Sequence, residues 1–86
     1  MQKVNTDKTF AENLKRIRKQ KGLTQEQTVA KLQVLGSPIT RSTYSLIEMG
    51  KGNIFVSDLV GLSQIFGVDY HEFFKGIPVQ REKTRS

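Results

Sequence analysis

Apolar residues recur every three or four positions through most of this chain, and glycines punctuate the repeat. Phe10, Leu14 and Ile17 step by four and three, which predicts a helix over about 8–21 with Lys15, Arg16, Lys19 and Lys21 mostly outside. Four more stretches follow. Residues 25–35 place Thr28, Val29, Leu32 and Leu35 inside, and 41–49 place Tyr44 and Ile47. Residues 57–66 place Leu59, Leu62, Ile65 and Phe66 inside, and 70–75 turn in Phe73 or Phe74. Gly22, Gly36, Gly50, Gly67 and Gly76 fall where these stretches stop, as expected of a residue that accepts a left-handed turn. Alternation of strand type does not persist beyond a few residues. The expected fold class is all-α, with five short helices.

The starts are marked as clearly as the stops. Thr24 and Gln27 have capping-box spacing, as do Asp69 and Glu72, and Val68 with Phe73 would staple the latter. The first helix opens near Asp7 or Thr9. For the third, Thr40 is favoured, with Ile39 and Tyr44 at staple spacing. Ser37-Pro38 is the alternative, since proline suits a first helical position. Ser57 is the natural cap of the fourth, although Val56 also fits its apolar rhythm. Gly61 inside that helix costs about 1 kcal/mol relative to alanine and suggests close packing.

Composition narrows the function classes. Eighty-six residues suffice for one small domain and leave no room for a separate sensor. Cysteine is absent and His71 stands alone, so neither thiolate catalysis nor a Cys- or multi-His metal site is expected. No nucleophile–base pair or phosphate-cradling motif points to an enzyme, and no cofactor is expected. The longest apolar run, Ile54-Phe55-Val56, is far too short for a membrane span or a secretory signal. The expected place of action is the cytoplasm, at the nucleoid.

Charge sharpens this. The formal net charge is +6, and its whole excess lies in residues 1–51, followed by a mildly acidic stretch over 52–76 and a basic end. A positive half joined to a less basic half suggests one face for a polyanion and another for a different contact. The expected division is a polar, loose arm over 1–7, a folded domain over 8–76 and a basic tail over 77–86, whose Arg81, Lys83 and Arg85 are expected to be disordered.

A helix, a turn containing glycine and a short helix rich in small polar residues follow the order of a helix-turn-helix. The residues Leu14, Ile17-Arg18, Gly22-Leu23-Thr24-Gln25-Glu26, Thr40-Arg41-Ser42-Thr43, Ile47-Glu48, Gly50-Lys51, Leu59, Leu62 and Phe66-Gly67-Val68 carry the resemblance. With them the chain resembles the Cro and phage-repressor-like helix-turn-helix family, of xenobiotic-response-element type. Two features depart from it. The stretch from Leu32 to Glu48 is longer than the family's, read here as an extra helical turn and a longer loop over 33–37. Thr28 and Val29 also stand where leucine and alanine are usual.

The resemblance implies a sequence-specific, double-stranded-DNA-binding transcriptional regulator, expected to be a repressor. Helix 41–49 would enter the major groove. Arg41 can reach guanine O6 and N7 with two hydrogen bonds, and Ser42, Thr43 and Ser45 are further candidates for base contacts. Gln25 is expected at a phosphate by family analogy, together with Thr24 at the same helix start. Lys51 and Asn53, in a loop with two glycines, are the other phosphate candidates. The family pattern also implies a structural salt bridge between Arg18 and Glu48. Such proteins usually dimerise, and Ile54, Phe55, Tyr70, Phe74 and Ile77 are the expected homodimer surface. The alternative is an antitoxin-like module that neutralises a protein partner and regulates its own synthesis through DNA.

Overall fold

The computed structural model describes residues 3–5 and 7–77; of 3–5 only the backbone is described. Arg81, Lys83, Arg85 and the rest of the expected tail from Pro78 onward lie outside the described residues.

Among the described residues the elements are four α-helices and a two-stranded sheet: β1 (Lys3–Asn5), α1 (Lys8–Gln20), α2 (Gln25–Val34), α3 (Arg41–Glu48), β2 (Asn53–Phe55) and α4 (Val56–Phe66). The stretch expected as a fifth helix is a single 3-10 turn, Tyr70–Phe74. Five residues are too few for a stable α-helical nucleus, and the local bond runs from Glu72 N–H to the Asp69 carbonyl, three residues back. The Asn13 side chain holds the turn from outside: its Nδ2 donates to the Phe73 carbonyl at 2.9 Å and to the Lys75 carbonyl at 2.8 Å. No Asp69 side-chain cap forms.

Helix starts follow the polar residues ahead of them. Asp7 accepts from the Phe10 N–H at 2.8 Å and opens α1. At α2 both halves of the capping box form, Thr24 accepting from the Gln27 N–H and the Gln27 amide oxygen from the Thr24 N–H. Thr40 accepts from the Thr43 N–H, so α3 begins at Arg41. Ser37 instead accepts from the Ile39 N–H within the connecting loop. Helix α4 starts at Val56, one residue before Ser57, and has no side-chain cap. The chain enters it directly from β2, which leaves no turn in which a cap could sit.

The domain is mostly helical, as expected, but two three-residue strands add a short sheet to it. Lys3–Asn5, read from sequence as part of a polar arm, pairs antiparallel with β2 in the register Lys3–Phe55, Val4–Ile54 and Asn5–Asn53. Along β2 burial alternates, with Ile54 inside and Asn53 outside.

One core joins all four helices, with Phe10, Leu14, Ile17, Val29, Leu32, Tyr44, Ile47, Leu62, Phe66 and Phe73 among its members. Leu35 does not join it: helix α2 ends at Val34, and Leu35, at the cap, is 54% exposed. At Gly61 a Cβ would lie 3.0 Å from Leu32 Cδ2, so α2 and α4 pack closely there and a side chain would require Leu32 to shift. Gly50 has φ of 74°, and a Cβ on it would meet the Asp7 and Lys8 backbone at 3.4 Å. The turn after α3 is thereby pressed against the start of α1.

Candidate nucleic-acid interface

The site begins with a buried carboxylate. Glu48, at the end of α3, receives four hydrogen bonds. Arg18 Nε donates to its Oε2 at 2.6 Å and Arg18 Nη2 to its Oε1 at 3.0 Å, a bidentate pair linking α1 to α3. The Tyr44 hydroxyl donates to Oε2 at 2.6 Å, and Gln25 Nε2 donates to Oε1 at 3.0 Å. Every acceptor position of the carboxylate is used. Burial alone would raise the Glu48 pKa. The hydrogen bonds from Arg18, Tyr44 and Gln25, with the guanidinium charge, outweigh burial and hold it below the ordinary glutamate value. The bond to Glu48 raises the Arg18 pKa against the effect of burial. Burial and the Glu48 carboxylate keep the Tyr44 phenol protonated.

From this hub the network runs outward. Gln25, first residue of α2, turns its amide oxygen to Arg41, whose Nε donates to it at 3.1 Å. Arg41 is the first residue of α3 and is exposed. Its Nη1 also lies 3.8 Å from Glu26 Oε2, a solvent-exposed contact of little energetic weight. The chain Arg18–Glu48–Gln25–Arg41 therefore reaches from the core to the surface of α3.

Ser42 and Thr43 are exposed beside Arg41, and Ser45 is half-buried one turn on. Thr43 also takes a hydrogen bond from the Thr40 hydroxyl at 3.1 Å, so its oxygen is partly committed to the cap. Leu46, between groove and core by its sequence position, is 45% exposed. Thr24, Lys51 and Asn53 are exposed, and the Lys51 N–H closes the end of α3 on the Leu46 carbonyl at 2.9 Å. The first turn of α2, the first turn of α3 and the loop after α3 together present polar and basic side chains.

The residues of the expected homodimer surface differ in exposure, and Ile54 is not available to it. Ile54 is 1% exposed because the strand alternation turns it into the core, and Ile77 is half-buried against that core. Phe55 is half-buried. Tyr70 and Phe74 remain exposed, at 55% and 37%. Phe73 takes the core position of the adjacent pair while Phe74 lies over Phe10 with ring centroids 5.5 Å apart.

Sequence reasoning treated Tyr44 as core filling and missed its hydroxyl as a ligand of Glu48, although the four-residue spacing puts the two on one helix face. It also missed Asn13 as the clamp on the 3-10 turn, a contact sixty residues away in sequence that no local pattern announces. Among the described residues no group of three or more His, Cys, Asp or Glu could hold a metal ion. Among them, too, no helix is long and apolar enough to cross a membrane.

Two helices joined by the connection 35–40, the second capped by Thr40 and tied to α1 through an Arg–Glu pair, define a helix-turn-helix domain. The sequence profile of the Helix-turn-helix family matches residues 14–73, and the chain belongs to that family. It is also 39% identical over 67 residues to an uncharacterised helix-turn-helix-type transcriptional regulator, YqaE, of Bacillus subtilis strain 168. That match covers 78% of this chain and 53% of the relative, so the chain spans about half the length of the curated protein it matches.

Proposed function

We propose that the protein is a sequence-specific double-stranded-DNA-binding regulator of transcription, a repressor that occupies its operator at the nucleoid. The observation that carries this reading is the Arg18–Glu48–Gln25–Arg41 chain of hydrogen bonds. It ties Arg41, the first residue of α3, directly to Gln25, the first residue of α2, and Gln25 in turn to the buried Arg18–Glu48 pair. A side chain fixed in this way loses less freedom when it meets a base edge.

In this reading Arg41 reads a guanine, and Ser42, Thr43 and Ser45 reach neighbouring base edges. Thr24, Gln25, Lys51 and Asn53 hold the phosphates on either side. Gln25 would do so through its backbone N–H at the start of α2 and its remaining amide hydrogen. A homodimer would present two copies of α3 to half-sites about 34 Å apart. Tyr70 and Phe74 are the apolar side chains of the expected surface still available to it.

Selection of bound duplexes from a random pool tests the proposal. The expected product is a motif with two inverted half-sites containing guanine. A pool that shows no enrichment at low salt sinks the reading, and a single half-site without symmetry removes the dimer from it.

A further inference from the structure

One carboxylate in the domain serves neither the Glu48 network nor the surface. Asp58, in the first turn of α4, is only 6% exposed, and no donor or cation reaches its carboxylate among the described residues. It lines a cavity of about 180 Å³ between the start of α3 and the β2–α4 junction. The walls there are largely apolar, with Ile47, Ile54 and Phe55 among them, while Thr43 and Asn53 add polar edges. A carboxylate taken out of water is costly unless a cation or hydrogen-bond donors meet it. Its position at the positive end of the α4 dipole offsets part of that cost but supplies no counter-charge.

We propose that this cavity binds a small primary alkylamine, its ammonium group on Asp58 and its alkyl stem between Ile47, Ile54 and Phe55. The chemistry of the walls selects this class. A single carboxylate gives a divalent metal too few ligands, and an anion would meet the wrong charge. A neutral apolar molecule would leave Asp58 unpaired. The volume suits a chain of about four or five carbons, given that roughly 30 Å³ is the share of one water in the liquid. Because Thr40 caps α3 and borders the same cavity, an occupant would touch the cap of the helix that carries Arg41. The proposal does not depend on DNA binding and stands or falls separately from it.

The test is a titration of the isotope-labelled full chain with n-butylamine hydrochloride, followed by amide resonances, against n-butanol and sodium chloride at matched concentrations. The expected result is saturable shifts at residues 39–43 and 53–58 with the amine, and none that saturate with the alcohol or the salt. The Asp58→Asn variant should lose the response while keeping a dispersed, folded spectrum. Equal saturation by butanol, shifts that follow ionic strength alone, or an unchanged response in Asp58→Asn would each overturn the proposal. Should Asp58→Asn not fold, the comparison of amine with alcohol on the unmodified chain decides by itself.

Discussion

At the scale of single residues, Glu48 carries more of the structure than its place at a helix end suggests. Its pKa is held below the ordinary value of 4.5 in the folded chain. It therefore contributes stability that is fully present above that pH and is lost as pH falls through the lower, folded value. Glu48→Gln leaves Arg18 buried without its counter-charge and should cost about 3–5 kcal/mol near neutral pH. Thermal unfolding of both proteins across pH checks the sign: the gap between them should narrow below about pH 4.5. A gap that stays constant down to pH 2 would mean that Glu48 titrates normally. Gln25 acts in the same network as a positioning residue. In competition binding with single-base variants of a selected duplex, Arg41→Ala should lose about 1–3 kcal/mol of discrimination at one base pair. Gln25→Ala should lose part of the same discrimination at the same base pair, because Arg41 Nε no longer has its acceptor. Uniform weakening across all bases in both variants would show that α3 meets DNA in another register.

At the scale of elements, what could be read in advance was whatever is encoded locally. Thr24, Thr40 and Asp7 announce helix starts because a cap is a contact over three residues, and the glycines announce stops for the same reason. The start of α4 was read one residue late because its entry is set by a strand rather than by a cap. That strand pairs with residues about fifty positions earlier, and three residues are too few to establish an alternation. The same contact explains why Ile54, apolar and outside any helix, looked available for a partner and is core instead. The candidate base-contacting residues follow from one correctly placed cap at Thr40, whereas Tyr44's hydroxyl bond and Asp58's burial needed three dimensions. The stretch 70–74 reads as an α-helix because its capping-box spacing and aromatic pair suit one; at five residues it is too short to hold an α-helical nucleus, and Asn13 of α1 supplies the outside partner for its carbonyls. Asn13→Ala should leave the Phe73 and Lys75 carbonyls without that donor at a cost of about 1–3 kcal/mol. Amide exchange should quicken at residues 70–77 well before it does in α3. Equal acceleration in both would mean that the clamp supports the whole domain and not this turn.

At the scale of the whole molecule, the +6 charge gains meaning only after internal pairing is subtracted. Arg18 is buried on Glu48, and so belongs to the core and not to any field felt by a polyanion. The basic residues that stay exposed on α1 and at its cap, Lys8, Lys15, Arg16, Lys19 and Lys21, lie on the solvent side, while Arg41 opens α3 and Lys51 follows it. If DNA is held by the first turn of α2 and the α3 region, few of these charges meet phosphates directly and the rest act at a distance. Only direct neutralisation releases condensed counterions, so the logarithm of affinity should fall linearly with the logarithm of salt concentration with a slope near −0.9 per contacted phosphate. Lys51→Ala should then make the slope shallower by about one unit and weaken all duplexes alike. Lys15→Ala, at an exposed position of α1, should leave the slope unchanged and shift affinity only slightly, within the range screened over a Debye length of about 8 Å at physiological salt. Fluorescence anisotropy on a labelled duplex from 50 to about 300 mM salt separates these cases. Equal changes of slope in the two variants would mean that α1 also touches the backbone, and that the bound face of the domain extends around α1 to include it.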